Sequence, residues 1–206
     1  GRGSRAFRSF LASHPTDPRG HLFLAFCEWW RQIQRGQERP SAVMEYHLEE
    51  GIRLAEEWVG REASNPQALT SLGTGYIFLA QYQAGQGKIF RAAVQGRKGR
   101  SALSQAWSAN PRMVDAGFGL GAYNYYADKV NVLVKGLRSL FFLPGGDAPA
   151  GLSQLSEVAS RGRYFRTEAH LLLAVIFQGH HEHRFRSALD HLQEALALNP
   201  DSPLIL

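Results

Sequence analysis

Three common features are scarce in this sequence, and each absence excludes a class of protein. Its 206 residues include one cysteine, Cys27, so an internal disulfide is impossible and most cysteine-based metal sites are excluded. The longest purely apolar run extends from Leu171 to Phe177. A helix that crosses a bilayer needs about 20 apolar residues, so we expect no membrane-spanning segment. Alternating β-branched runs and Asn-Gly or Asp-Gly turns are nearly absent, which argues against a sheet.

The charge balance is only mildly basic. Lysine and arginine number 23 against 18 acidic residues, which gives a net charge of +5. The surplus comes from scattered arginines, so we expect no nucleic-acid partner. The densest basic stretch places Lys88, Arg91 and Lys98 on one helix face, with Arg97 and Arg100 alongside. That face is either an ordinary solvated surface or a surface for an acidic partner or a phosphate backbone.

Helical signals run from one end of the sequence to the other. Leu48, Ile52, Ala55 and Val59 recur at three- and four-residue steps, as one face of a helix requires. Asn-Pro and glycine-rich pairs separate such stretches, and proline suits the first turn of a helix. The pattern predicts an all-α protein with ten helices, at about 5–13, 19–35, 41–63, 66–84, 88–109, 112–128, 132–142, 148–161, 164–181 and 184–198.

The sequence also repeats itself. Leu-Gly or Leu-Ala pairs begin at Leu24, Leu72, Leu120 and Leu173, with separations of 48, 48 and 53 residues. A second pattern recurs between and after these pairs, in which a small residue is followed by apolar residues four and seven positions later. Its four occurrences are Gly51, Ala55 and Trp58; Gly99, Leu103 and Ala106; Gly151, Leu155 and Val158; and Ala188, Leu192 and Ala195. Small residues on adjoining helices permit close approach, so each unit is predicted to be a helix hairpin that stacks on the next. We expect Leu72, Leu120 and Leu173 to be buried in their hairpins.

These motifs resemble the tetratricopeptide-repeat (TPR) superfamily, whose first helix carries W-x2-L-G-x2-Y and whose second carries A-x3-F. Leu69-x2-Leu72-Gly73-x2-Tyr76 matches the first helix with leucine in place of tryptophan, and 185–200 matches the second. Two departures are a period of about 48 residues instead of about 34, and Asn124 at the usual tyrosine position. The wide units are similar to bacterial TPR proteins with extended repeats.

The resemblance implies one continuous domain over residues 1–206, a right-handed α-solenoid of four extended hairpins. Because both ends fall inside the repeat pattern, we expect either a fragment of a longer array or a helix pair supplied by a partner. The implied function is a scaffold that binds a peptide or partner protein in a concave groove, without a cofactor. The alternative is a helical protein that binds a small molecule or lipid in an enclosed aromatic cavity. The sequence leaves the oligomeric state and the compartment open.

Aromatic residues recur five or six positions after the leucine of the first three pairs. These positions hold Trp29-Trp30, Ile77-Phe78 and Tyr125-Tyr126, and in the fourth unit Gln178-Gly179. Such a stripe is either core or, as the resemblance implies, the lining of the groove; the candidates for partner contact are Trp30, Phe78, Tyr125 and Tyr126.

A charged and aromatic set of side chains completes the predicted groove. Asp115, Phe118 and Tyr125 are spaced to share a helix face, and Glu168 begins the next first helix. We expect Phe118 and Tyr125 to anchor a partner while Asp115 and Glu168 select lysine or arginine in it.

No motif in the sequence indicates catalysis, so we expect that the protein is not an enzyme. A G-x-S-x-G elbow, paired catalytic carboxylates and an H-E-x-x-H zinc motif are all missing. His180, His181 and His183 cluster at a turn and are either a solvated hairpin tip or part of a metal site. Gly117 to Gly121 lies inside a predicted helix, so we do not expect it to bind phosphate.

Overall fold

A computed structural model describes residues 2–36, 41–129 and 145–201. Within these ranges every regular element is an α-helix, which confirms the predicted all-α class. The helices are α1 (Arg2–Ser13), α2 (Pro18–Gln34), α3 (Ala42–Arg61), α4 (Pro66–Gly85), α5 (Ile89–Ala109), α6 (Ala116–Lys129), α7 (Ala148–Arg161), α8 (Arg166–Gln178) and α9 (Phe185–Leu198). The predicted helix at 132–142 lies outside the described residues.

Capping side chains and prolines set the starts of several helices. The Asp17 carboxylate accepts the Arg19 N–H at 2.9 Å, and Pro18 follows as the first residue of α2. Asn65 accepts the N–H groups of Gln67 and Ala68 before α4, whose first residue is also proline. These caps satisfy N–H groups that have no partner inside the helix. At Asn65-Pro66 the expected helix start therefore has a local physical cause, whereas Asn110-Pro111 lies in a turn and α6 begins later, at Ala116.

The helices are organised in two compact units, Gly1–Ala109 and Asn110–Leu206. In the first unit α1 to α5 pack in chain order, each on the next, and α2 also contacts α4. In the second unit α6 packs on α7, α7 on α8, and α8 on α9. The expectation of one continuous domain over residues 1–206 stays a prediction.

Glycines hold the two helices of a hairpin close together at the repeat positions. A Cβ atom added to Gly73 of α4 would lie 3.0 Å from the carbonyl oxygen of Gly99 in α5. A Cβ atom on Gly121 of α6 would lie 2.8 Å from the carbonyl oxygen of Gly151 in α7. Both distances are shorter than an ordinary contact, so only glycine fits without displacement of the helices. The spacing of small residues therefore marks real helix crossings in both units.

The repeated leucines lie at these crossings with different degrees of burial. Leu24, Leu120 and Leu173 are buried, whereas Leu72 is half-buried and packs against two apolar clusters of the first unit. The expectation that Leu72 is buried is therefore only partly correct.

Helix length explains one of the long repeat separations. Helices α4 and α5 have 20 and 21 residues, which accounts for the 48 residues between Leu72 and Leu120. Helices α6 and α7 have only 14 residues each, so helix length does not account for the 53 residues between Leu120 and Leu173.

A candidate partner-binding surface in the second unit

Asp115 holds the backbone that leads into α8. Its carboxylate accepts three backbone N–H groups, those of Arg163 at 3.0 Å and of Tyr164 and Phe165 at 2.9 Å each. Three such bonds to one carboxylate stabilise the loop, because charge-assisted bonds are stronger than neutral ones. Asp115 therefore positions the start of α8, a role that the sequence did not suggest.

Two aromatic side chains of α6 contact the segments that flank α8. The ring of Phe118 stacks on Phe165 with centroids 5.0 Å apart and planes inclined by 7°. The Tyr125 hydroxyl donates to Glu182 at 3.2 Å. Since Phe165 precedes α8 and Glu182 follows it, α6 runs alongside α8. The sequence predicts that Asp115, Phe118 and Tyr125 share one face, and in the structure all three contact residues that flank α8.

Tyr125 is a buried member of this set. Its side chain is 3% exposed, and Lys129 lies over its ring at 5.6 Å. Burial, followed by the Glu182 carboxylate, raises the pKa of the Tyr125 hydroxyl to about 12. The phenol therefore stays neutral in the folded protein at physiological pH and acts as a hydrogen-bond donor inside the unit.

Glu168 in the first turn of α8 carries a carboxyl group with little compensation. Burial and the nearby Asp115 charge raise its pKa, while its own backbone N–H opposes the shift. Among the described residues, none of the ion pairs involves Glu168. Burial and the neighbouring Asp115 carboxylate both favour the protonated form of Glu168.

Both α6 and α8 carry exposed and half-buried apolar side chains. Tyr126 is 48% exposed and Val175 is 62% exposed, while residues at four-residue steps from them are half-buried. We define the α6–α8 surface by six residues: Phe118, Ala122, Tyr126, Glu168, Leu172 and Val175. Leu172 and Val175 were not predicted from the sequence, although their spacing of four and seven residues from Glu168 places all three on one helix face.

The aromatic candidates in the first unit belong to a packed cluster. Phe78 is 2% exposed, and its ring stacks on Phe26 at 4.4 Å and meets the edge of Trp29 at 5.8 Å. Trp30 is half-buried, with its ring against Trp29 at 4.9 Å. Phe78 therefore fills the core, and this cluster consists of rings in contact instead of an enclosed cavity.

Other residues singled out in the sequence have simpler surroundings. His180, His181 and His183 are exposed around the turn after α8. Across residues 2–36, 41–129 and 145–201, no group of three or more histidine, cysteine or acidic side chains has a metal-binding arrangement. Gly117 to Gly121 lies within α6, and Cys27 is half-buried. None of the described helices is both long and apolar enough to span a bilayer.

Part of the basic face of α5 is exposed to solvent, and part of it contacts a side chain of α4. Lys88, Arg91 and Arg97 are exposed. Lys98 lies over the ring of Tyr76 at 4.8 Å and donates to the Tyr76 hydroxyl at 3.3 Å. Both interpretations of the sequence, a solvated face and a binding face, are compatible with this arrangement.

A solved structure has a similar fold. TTC0263, described as a thermophilic TPR protein in Thermus thermophilus, matches with a TM-score of 0.53 and 17% sequence identity, over 98% of this chain and 84% of that one. The chain has a TPR fold. The prediction of a TPR-like helical-repeat solenoid is thereby confirmed.

Two further solved structures match this chain. MamA matches with a TM-score of 0.44 and 13% identity, over 94% of this chain and 85% of that one. YrrB, described as a TPR protein with an unusual peptide-binding site, matches with a TM-score of 0.35 and 14% identity, over 98% and 96%. No protein-family profile and no curated protein sequence matches the chain.

Proposed function

We propose that this TPR chain is a non-catalytic scaffold, and that the α6–α8 surface binds a segment of a partner protein that carries lysine or arginine. The observation that supports this proposal is Glu168, a half-buried carboxylate without an ion-pair partner among the described residues, on a helix that also carries the exposed Val175. A fold alone does not specify a function, so the argument is made from this surface.

The apolar part of the surface supplies contact area. Tyr126 and Val175 are exposed, and Phe118 and Leu172 are half-buried on the same two helices. An exposed tyrosine is typical of a binding anchor, because it buries a large area while few side-chain rotations are lost. We assign the anchoring role to Tyr126, with Phe118 about two turns before it on α6.

The charged part of the surface supplies selectivity. An incoming ammonium or guanidinium group near Glu168 would satisfy a carboxylate that now lies close to another carboxylate. Asp115 contributes its charge to this region while its oxygens accept the three N–H groups of residues 163–165. We therefore assign partner contact to Glu168 and positioning to Asp115.

Binding to arrayed peptides of about a dozen residues tests this proposal. The array varies one central position among lysine, arginine, glutamine and glutamate within otherwise apolar sequences. We expect the unsubstituted protein to retain lysine and arginine peptides, with affinities then measured by fluorescence anisotropy. Tyr126→Ala should weaken binding by about tenfold, which corresponds to loss of an aromatic anchor. Glu168→Gln should remove the preference for basic over glutamine peptides.

Matched variants separate these effects from general changes. Tyr46→Ala removes another exposed tyrosine from α3, and Glu157→Gln removes a carboxylate from α7. Both should bind the selected peptides as the unsubstituted protein does. If Tyr126→Ala binds with unchanged affinity while its circular dichroism shows a folded chain, the α6–α8 surface is not the site. If glutamate peptides bind as well as lysine peptides, the charge assignment is wrong.

A further inference from the structure

Four histidines form two direct pairs, one within each of two hairpins. The Nδ1 atoms of His21 in α2 and His47 in α3 lie 3.0 Å apart. The Nδ1 atoms of His170 in α8 and His191 in α9 lie 2.9 Å apart. The ring centroids of the two pairs are 5.0 and 5.1 Å apart. Each pair therefore joins the first and second helices of its own hairpin.

The two pairs occupy related places in the repeat. His21 lies three residues before Leu24, and His170 lies three residues before Leu173. Both first-helix histidines are largely buried, at 9% and 7% exposed. Along the sequence these histidines are isolated helix residues, because the pairing partners are 26 and 21 positions away.

The geometry of each pair depends on its protonation. In an Nδ1–H···Nδ1 bond one nitrogen donates and the other must accept through a free lone pair. A pair with no extra proton or with one extra proton can keep this bond. A second extra proton removes the acceptor and places two positive rings about 5 Å apart, as the centroids show.

The charges around the first pair provide little compensation for a second proton. Burial lowers the pKa of His21; the Glu50 charge opposes this shift and the Arg53 charge reinforces it. Burial and His21 lower the pKa of His47, with Glu28 opposing and Arg8 of α1 reinforcing the shift. Both carboxylates are already engaged: Glu50 bonds Arg53, and Glu28 bonds Arg31.

The second pair has a similar set of nearby charges and direct access to solvent. Burial lowers the pKa of His170 and of His191, with the His170 charge adding to the effect on His191. The groups that face this pair are the Ala159 carbonyl of α7, Arg166 of α8, and Arg184, Asp190 and Glu194 around α9. A cleft of about 570 Å³ between α7, α8 and α9 is lined by both histidines, so protons can reach them from solvent.

We propose that the two histidine pairs are acid-sensitive contacts, and that a second proton on each pair loosens α2 from α3 and α8 from α9. The opened hairpin binds more protons than the closed one, because an exposed histidine protonates near its ordinary pKa of about 6.5 and the paired ones only at lower pH. The stability that the two pairs contribute to the closed hairpins is therefore complete above about pH 6.5 and is lost as the pH falls below it. This inference does not depend on the proposed partner surface.

Hydrogen exchange followed by mass spectrometry, between about pH 7.5 and pH 5, tests this proposal on the whole chain. After correction for intrinsic exchange rates, the α4–α5 hairpin is an internal control, because residues 66–109 contain no histidine. We expect protection in α2–α3 and α8–α9 to fall relative to α4–α5, by up to about tenfold per pH unit for each additional proton bound on opening. An equal response of all three hairpins would overturn the proposal.

Two substitutions localise the effect. His191→Gln leaves His170 with a neutral neighbour that can accept a hydrogen bond from its ring. The loss of exchange protection at acid pH should therefore disappear in α8–α9 and persist in α2–α3. His181→Gln changes an exposed histidine and should behave as the unsubstituted protein does. If His191→Gln shows the unsubstituted response in α8–α9, the pair is not the sensor.

Imidazole titration of the unsubstituted protein by NMR keeps the proposal testable if His191→Gln does not fold. Four of the eight histidine signals should then titrate below the ordinary histidine pKa of about 6.5. One common titration for all eight would contradict the proposal.

Discussion

Replacement of Gly99 by alanine tests whether α4 and α5 approach as closely as the structure indicates. An added Cβ atom would lie 2.9 Å from the Gly73 carbonyl oxygen and 2.8 Å from Cγ1 of Ile77. The isoleucine can rotate, whereas the backbone oxygen can move only if the helices separate. Gly60, near the end of α3, is the matched control, because a Cβ atom there meets nothing within 4 Å.

Two opposing effects determine the expected free energy of unfolding. Alanine in place of glycine stabilises a helix by about 0.5–1 kcal/mol, since the unfolded chain loses conformational freedom. Forcing an extra carbon into a filled contact costs about 1–3 kcal/mol. We therefore expect Gly60→Ala to be neutral or more stable by up to about 1 kcal/mol, and Gly99→Ala to be less stable by about 0.5–2 kcal/mol.

Urea denaturation followed by far-UV circular dichroism measures both variants against the unsubstituted protein. Both substitutions lie in the unit Gly1–Ala109, so they report on the same unfolding transition. The difference between the two variants isolates the cost of the close contact, about 1–3 kcal/mol. If Gly99→Ala is as stable as Gly60→Ala, the two helices do not cross at these glycines and the hairpin register is wrong.

Two further predictions concern the second unit. Leu173→Ala removes a side chain that is 0% exposed and should lower the free energy of unfolding by about 2–5 kcal/mol, whereas Val175→Ala, at an exposed position two residues on, should change it by less than about 0.5 kcal/mol. Equal urea midpoints for these two variants would refute the assigned burial. The pKa of Tyr125 is raised to about 12 in the folded state, whereas an unfolded chain loses this proton near pH 10. The stability that the neutral phenol contributes is therefore lost as the pH rises from about 10 towards 12. Tyr125→Phe should therefore lose less stability between about pH 9 and pH 11 than the unsubstituted protein, and an identical alkaline loss in both would count against the buried phenol.

Much of the fold could be predicted because its signals are local. The start of α4 follows from Asn65 and Pro66, whose cap and missing N–H act within one turn. The hairpin crossings follow from glycine spacing, because a helix brings small residues to one face at regular intervals. The start of α6 at Ala116 instead of about residue 112 depends on a turn around Asn110 that the periodicity does not encode.

The candidate α6–α8 surface could be predicted less well from the sequence. Phe78 and Tyr126 occupy equivalent places in the repeat, yet one is 2% exposed and the other 48%. The repeat places both on corresponding faces, but the neighbours that cover a face are supplied by other helices. Phe26 and Trp29 of α2 cover Phe78, whereas no comparable stack on Tyr126 is present among the described residues beyond its edge contact with Tyr125.

The sequence by itself determined the helical class, the hairpin repeat and the positions of small residues, since each depends on contacts within a few residues or on a fixed helical period. Only the tertiary structure decided which side chains meet across longer separations. Asp115 binds backbone about 50 residues ahead, and the histidines pair across 26 and 21 residues. Helical periodicity specifies the direction of a side chain within its helix, whereas its partner is set by how neighbouring helices pack.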